Sequence, residues 1–374
     1  MLLRTPASTR GHSLSISAII DDDCAAIFSD LRNPGFFRDA RVLVTGCAGF
    51  LGYVLMQFFA RYARELGIAQ VVGLDAFVFG RCDWLEQLTR KEPRISIHAF
   101  NVANTELASV PEAAAADVVI HMASIASPAY YRQHPIETLD ANVWGWRRLL
   151  DYYREREMRG LLFFSSSEIY GDPDPARIPT DEEYPGNVSC LGPRACYDEA
   201  KRLGETLCYV FAKQFGMPIV AVRPFNNFGP GMRLTDRRLP ADVVRAVYEN
   251  RDVVLHSDGT PTRTFCYVSD AVTGYLLALA HGRFDYFNIG TAAPEISVAA
   301  FAELCAQAGR SLCGYSGRVR REKAADAEYL TNNPARRCPS IEKARRVLGY
   351  EPRVPVAEGV ERFLKFTIDA GGGP

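Results

Sequence analysis

The chain has 374 residues, 48% of them hydrophobic, and its 43 basic residues nearly balance 44 acidic ones. That is enough chain to bury a large core as one α/β unit or two lobes. The near-zero net charge excludes a surface that would recruit nucleic acid or an anionic membrane by charge alone, and no apolar run is long enough to read as a membrane span.

Only six of the basic residues are lysines; the arginine excess fits sites that grip planar anions, and equally fits genome composition. The ten cysteines form neither CxxC pairs nor Cys/His clusters at metal spacing. They read as reduced thiols of a cytoplasmic protein with no metal site. Residues 1–38 read as an N-terminal extension with one short helix near Cys24 to Leu31. It carries Arg and Ser but no acid before Asp21, and it lacks the compact apolar stretch of a cleaved leader.

From Arg41 the pattern alternates. "RVLV" reads as a short buried strand, "FLGYVLMQFFARYARELG" as a helix with apolar residues three and four apart, and "QVVGL" as the next strand. Further strands are expected at "ISIHAF", "DVVIHMAS", "GLLFFSS" and "PIVAVRPF", separated by helical stretches such as "PIETLDANVWGWRRLLDYYRERE". This alternation predicts an α/β fold, a Rossmann-type doubly wound parallel sheet with helices on both faces. After Pro224 the rhythm loosens, with shorter helices at "VAAFAELCAQAG" and "IEKARRVLG". The expected organisation is a dinucleotide-binding unit over residues 39–223 with a return segment near 265–292, and a smaller substrate-binding lobe from 224–264 and 293–370.

Directly after the first strand, "TGCAGFLG" places Gly46, Gly49 and Gly52 between a strand and a helix. Glycines there let the backbone turn tightly and approach a pyrophosphate, whose charge sits at the helix N-terminus. Asp75 ends the next strand. A carboxylate at that place accepts ribose hydroxyls and repels a 2′-phosphate, which favours NAD over NADP.

The second constellation joins "SSSEIYG" to "GPRACYDEAK". Tyr197 and Lys201 are four apart and share a helix face. The lysine, aided by a nicotinamide cation, is expected to pull the tyrosine pKa below its ordinary value of about 10, making it a base. Ser166, at a strand end, supplies a hydroxyl to hold a substrate alcohol. Tyr209 and Lys213 repeat the spacing, but twelve residues along one helix is about 18 Å of rise, so both pairs cannot serve one site. Tyr197 lies nearer the loop end, where α/β sites form, and Tyr209 is expected to pack.

Together, "TGCAGFLG", Asp75, "HMAS" at His121 to Ser124, Ser166, Tyr197 and Lys201 resemble the extended short-chain dehydrogenase/reductases, the NAD-dependent epimerase/dehydratase family, from about Arg41 to Phe366. The resemblance implies a tightly held NAD touching Gly46, Gly49, Phe50, Leu51, Gly52, Asp75, Ala123, Ser124, Tyr197 and Lys201. It also implies a nucleotide-sugar substrate and a homodimer paired through the helices around Trp144–Arg154 and Tyr197–Phe211.

Within that family, "ASIASPAYYRQHPIETLDANVWG", "SSSEIYGDP", "GPRACYDEAKRLGETLCY", "FNNFGP" and "GTPTRTFCYVSD" resemble segments of the UDP-glucuronate decarboxylases. Carried over, Ser166, Ser167, Glu168, Tyr197, Lys201 and Arg263 are expected to be catalytic. Glu168 would steer the substrate carboxylate or protonate carbon through water. Ser127, Tyr130, Asn226, Arg233, Asp242, Arg263 and Arg336 would bind the substrate. The Ser167-Glu168 pair counts against a dehydratase, which would carry Asp-Glu, whereas a 4-epimerase stays open as the alternative. The chain departs from the decarboxylase pattern at Gly231, at Asp242 and in "TNNPARR", all in the part expected to hold the nucleotide sugar.

Overall fold

The computed structural model describes residues 16–323, 331 and 333–373. Asn332 of the "TNNPARR" departure and the first fifteen residues of the expected extension lie outside them.

Seven strands form one parallel sheet: β1 (Arg41–Thr45), β2 (Gln70–Asp75), β3 (Ile95–Ala99), β4 (Val118–His121), β5 (Gly160–Phe164), β6 (Ile219–Pro224) and β7 (Asp285–Ile289). Their spatial order is β3-β2-β1-β4-β5-β6-β7. β1, β4 and β5 are buried along almost their whole length, as expected of strands covered on both faces by helices. The order reverses between β1 and β4, where a doubly wound sheet opens its ligand crevice at the carboxyl ends of the strands.

Helix α1 (Ile16–Asp30) is longer than the short helix expected near Cys24 and does not behave as an appendage. Ile19, Ile20, Cys24 and Ile27 are buried in the main core together with Phe58, Phe59 and residues of the C-terminal helix Val356–Asp369. Asp23 is buried there too, accepting from the Tyr267 hydroxyl at 2.8 Å and from Arg362 at 2.9 Å. The apolar pattern of this helix was obscured by the acidic run Asp21–Asp23, whose last member points inward because two donors meet it.

Helix α2 (Phe50–Tyr62) stops short of the predicted end. The long helix predicted over residues 135–157 is broken into Pro135–Leu139, a π-helical turn Asp140–Gly145, and Trp146–Tyr153. The 21-residue helix Ala195–Phe215 crosses β5 closely at Gly204, where an added Cβ would sit 2.1 Å from Phe163 Cζ. That close approach sets Tyr197 and Lys201 against the end of β5.

The chain beyond β6 is built around the paired helices Leu239–Tyr248 and Val298–Cys313, whose buried residues join the main core. It also holds a small sheet of Ile296–Ser297, Thr262–Arg263 and Arg336–Arg337. In that sheet Arg337 lies in parallel register with Arg263, and Arg336 with Thr262.

Candidate active site

A cavity of about 1770 Å³ runs from the glycine turn after β1, past the ends of β4 and β5, to helix Leu239–Tyr248 and Arg263. Its first end is mostly backbone. Gly46 has φ +75°, and a Cβ there would lie 2.8 Å from Ala123 N; a Cβ on Gly52 would lie 2.4 Å from Cys47 O. The turn is therefore held against β4, and α2 begins at Phe50, with its free N–H groups at the cavity. Asp75 accepts from Ala48 N at 2.9 Å and Phe77 N at 2.8 Å, so it ties the turn to the loop after β2. Burial raises its carboxyl above the ordinary value, against the pull of those two N–H groups. Ser124 Oγ is buried without a hydrogen-bond partner among the described residues. A backbone cradle, a carboxylate at the second strand end and an orphaned hydroxyl on the cavity wall fit a dinucleotide cofactor.

In the middle stand Ser166, Tyr197 and Lys201, all buried. Ser166 bonds the Tyr197 phenol and accepts from Glu168 N at 3.2 Å. Lys201 Nζ donates to Phe164 O at 2.6 Å and lies 5.5 Å from the Tyr197 ring centroid. Tyr131 stacks on that ring, with centroids 5.1 Å apart and planes 10° off parallel. In the protein by itself the lysine does not depress the phenol. Burial pushes Tyr197 up to about 12, against the Ser166 hydrogen bond and the charge of Arg238. Burial also lowers Lys201 to about 7, which weakens the cation expected to act on the phenol. Desolvation outweighs the pair interaction until another positive charge enters.

The far end is a compact charge cluster. Glu168 is gripped by Arg337, with Oε1 accepting from Nη1 at 2.7 Å and Oε2 from Nη2 at 2.5 Å, while Arg194 Nη2 closes on Oε2. Burial alone would raise the Glu168 carboxyl, but the charges of Arg194 and Arg337 override it and hold it at about 2. Asp198, 3.6 Å from Arg194 Nε, is pushed up to about 7 by burial and by the Glu168 charge. Arg263 donates to the carbonyls of Thr262 (2.7 Å), Ala335 (3.2 Å) and Pro334 (2.7 Å). Burial, then repulsion from Arg337, lowers it to about 9.

The structure brings together most of the residues singled out in the sequence. Gly46, Gly49, Phe50, Leu51, Gly52, Asp75, Ala123, Ser124, Ser166, Ser167, Glu168, Tyr197, Lys201, Asn226, Arg233, Asp242 and Arg263 line the one cavity. Three do not. Arg336 lies outside it, paired with Glu295 at 2.6 Å. Alternation along the strand sends Arg337 to the face of Arg263 and Arg336 to the other face, so a one-residue error in register exchanges cavity for solvent. Ser127 and Tyr130 are also turned from the cavity; their hydroxyls donate to Asp236 O at 2.6 Å and Thr235 O at 2.7 Å. Arg233 lines the cofactor end rather than the substrate end, bonding Phe79 O at 3.0 Å. Sequence reasoning missed Arg194, Arg337, Tyr131 and Arg238. Arg194 was in view, one helical turn before Tyr197 in "GPRACYDE"; nothing local marks the others.

A dinucleotide cradle at the switch point and a Ser–Tyr–Lys group beside it define a nicotinamide-dependent enzyme of the short-chain type. Residues 42–290 match the NAD dependent epimerase/dehydratase family, and the chain belongs to it. It is 35% identical over 326 residues to UDP-glucuronic acid decarboxylase 1 of Xenopus tropicalis, covering 87% of this chain and 72% of that one. It is 33% identical over 333 residues to UDP-glucuronic acid decarboxylase 6 of Arabidopsis thaliana, covering 89% and 90%. Among solved structures, an epimerase from Methanothermobacter thermautotrophicus superposes with a TM-score of 0.73 at 25% identity, covering 94% of this chain and 96% of that one. A UDP-glucose 4-epimerase from Thermotoga maritima superposes at 0.75 with 22% identity over 88% and 99%, a likeness of fold.

Proposed function

We propose that this protein is an NAD-dependent decarboxylase acting on UDP-glucuronate to give UDP-xylose. The observation that carries the reading is the buried cluster at the far end of the cavity, where Arg194 and Arg337 grip Glu168 and Arg263 lines the wall beside them. The three guanidiniums lining the cavity, near Ser166 and Tyr197, suit a sugar that is itself a carboxylate. The decarboxylases of frog and plant at 33–35% identity support the same choice.

NAD, when bound, supplies reversible hydride acceptance at sugar C4, and its cationic ring lowers the Tyr197 phenol. The side chains do the rest. Tyr197 takes the C4 hydroxyl proton while Ser166 holds the oxygen. With C4 as a carbonyl, the C5 carboxylate is β to it and leaves as carbon dioxide. Arg263 holds the carboxylate and then the enolate charge. Glu168, fixed by two arginines and held at about 2, is suited to steering those arginines rather than to donating a proton. The enolate carbon C5 takes its proton from water, which replaces the lost carboxylate. Tyr197 returns its proton when C4 is reduced again.

Trp144, Leu203, Tyr209 and Val210 are exposed, between 42% and 57% of their surface, on the adjoining helices expected to pair in a homodimer. All ten cysteines are free, which suits a reducing cytoplasm.

The test is incubation with UDP-glucuronate in deuterated water, read by mass spectrometry and NMR. A product lighter by carbon dioxide, with deuterium at C5 of a pentose, is expected. A hexuronate inverted only at C4 would overturn the reading in favour of an epimerase.

A further inference from the structure

Helix α1 is tied to the cavity wall through one buried carboxylate. Asp23 is 1% exposed, and both of its oxygens are taken: Oδ2 accepts from the Tyr267 hydroxyl at 2.8 Å and Oδ1 from Arg362 Nη1 at 2.9 Å. The Tyr267 ring has little room to move. A Cβ on Gly359 would lie 2.8 Å from its Cδ2, and one on Gly229 would lie 3.0 Å from its Cε2. Tyr267 ends the short strand Cys266–Tyr267, which runs parallel to Asn227–Phe228. The two segments form one unit: Cys266 N donates to Asn226 O at 3.2 Å, Asn226 Nδ2 donates to Thr264 O at 2.9 Å, and Phe228 meets the rings of Phe265 and Tyr267 edge-on. At its other end, Asn226, Asn227, Arg263 and Phe265 line the cavity. Asn226 sits there at φ +43°, in the left-handed region, which a non-glycine residue holds only where its surroundings over-determine it.

We propose that Asp23 is a positioning residue for substrate binding: through Tyr267 it fixes the wall that carries Asn226, Arg263 and Phe265. Helix α1 lies before residues 42–290, which match the family, so this support is an addition made by the N-terminal extension. A buried phenol left without an acceptor bears the full cost of its desolvation, and a carboxylate is the stronger acceptor because the bond is charge-assisted. Without it the hydroxyl has to find another partner. That draws the ring from its place between the two glycines and moves the strand pair that holds Asn226 and Arg263. Asp21, on the same helix, gives the contrast: its pair with Arg61 at 2.6 Å lies at the surface, where such a pair contributes little. The glycine turn after β1 and Asp75 make no hydrogen bond to Asp23 or Tyr267 among the described residues, so the cofactor end is spared.

The test titrates UDP-glucuronate calorimetrically into the full-length protein with NAD bound, in a Tyr197→Phe background so that nothing turns over. Asp23→Ala should weaken binding about tenfold or more, with NAD content unchanged. Asp23→Asn, which keeps an acceptor for the phenol, should recover most of the loss, and Asp21→Ala should bind as the parent does. Tyr267→Phe should weaken binding about fivefold or more, and adding Asp23→Ala to it should cost little further. A buttress that serves only stability would lower the melting temperature and leave the affinity of the folded protein unchanged. That result, or a loss of NAD in step with the substrate, overturns the proposal. If Asp23→Ala does not fold, Tyr267→Phe carries the test, and an unchanged affinity there overturns it as well. The inference rests on the cavity holding a nucleotide sugar. Should the parent bind UDP but not UDP-glucuronate, the decarboxylase reading fails and the same variants are compared with UDP; should the parent bind UDP-glucuronate and the variants match it, only the positioning role falls.

Discussion

Tyr197 and Tyr209 stand on one helix, each followed four residues later by a lysine, yet Tyr197 is 7% exposed and Tyr209 49%. Lys213 Nζ bonds the Tyr209 hydroxyl directly at 3.2 Å, a closer pairing than Lys201 makes with Tyr197. By spacing and by contact the outer pair is the better one. What it lacks is surroundings. Tyr197 has Ser166 on its hydroxyl, Tyr131 on its ring, and the cavity beside it. Chemistry here comes from the burial that makes a proton on the phenol costly to remove until a cofactor cation arrives, and from neighbours that hold a substrate oxygen. An identical spacing in solvent provides neither.

The largest expected effect tests that contrast at the inner pair. Tyr197→Phe should lower carbon dioxide release by about 10³-fold, the scale of a lost general base, while the purified protein keeps its NAD. A loss below tenfold would mean that the phenol is not the base. The same contrast has a spectroscopic form. Wild type minus Tyr197→Phe should show no tyrosinate absorbance below pH 11 in stripped protein, since burial holds this phenol up at about 12. Adding NAD should bring that absorbance in at lower pH.

Next in size are the groups that turn a shared redox centre into a decarboxylating one. Glu168→Gln should lower carbon dioxide release by about 10²-fold, with reduction of bound NAD affected much less. It should also destabilise the fold by about 3–5 kcal/mol, because Arg194 and Arg337 are left buried without their anion. Arg337→Met together with Glu168→Gln should cost less than the two single losses added. The two acids of the cluster titrate in opposite senses. Glu168 is held at about 2, below its ordinary 4.5, so its stabilisation is complete above pH 4.5 and is lost as pH falls toward 2. Asp198 is raised from 3.8 to about 7, so its contribution is lost as pH rises from 3.8 through 7. Asp198→Asn should therefore raise the melting temperature at pH 8 and leave it unchanged at pH 3.5. A flat difference between the two pH values would mean that folding does not shift the Asp198 carboxyl.

How much of this was legible divides along sequence distance. The parallel sheet and the cradle were readable because each rests on a few neighbouring residues: a buried strand, a glycine turn, a helix start and Asp75 within 35 residues. The pair Tyr197–Lys201 was readable from helix periodicity, with Gly204 showing afterwards why that helix can approach β5. The charge cluster was only half readable. Glu168 and Arg263 were singled out by resemblance, but their partners come from residues 194 and 337, and only strand alternation against Thr262–Arg263 decides that Arg337 rather than Arg336 turns inward. Helix α1 was misread for a related reason: nothing near Asp23 announces that Tyr267 and Arg362 will meet it.

The smallest expected effect returns to the outer pair. Tyr209→Phe removes the hydroxyl that Lys213 holds, but that bond lies at the surface, where a single polar contact contributes little. Turnover and melting temperature should stay within twofold and about 0.5 kcal/mol of wild type. The helix face that carries Tyr209 has a different use in this reading. Trp144, Leu203 and Val210 expose apolar surface on adjoining helices, the kind of surface a partner copy would cover. Light scattering should therefore give a dimer mass for wild type and for Tyr209→Phe, and a monomer mass once Trp144→Glu and Val210→Glu place charges on that face. If Tyr209→Phe abolished turnover and Tyr197→Phe did not, the active site would belong to the outer pair, and burial would not be what distinguishes the two tyrosines.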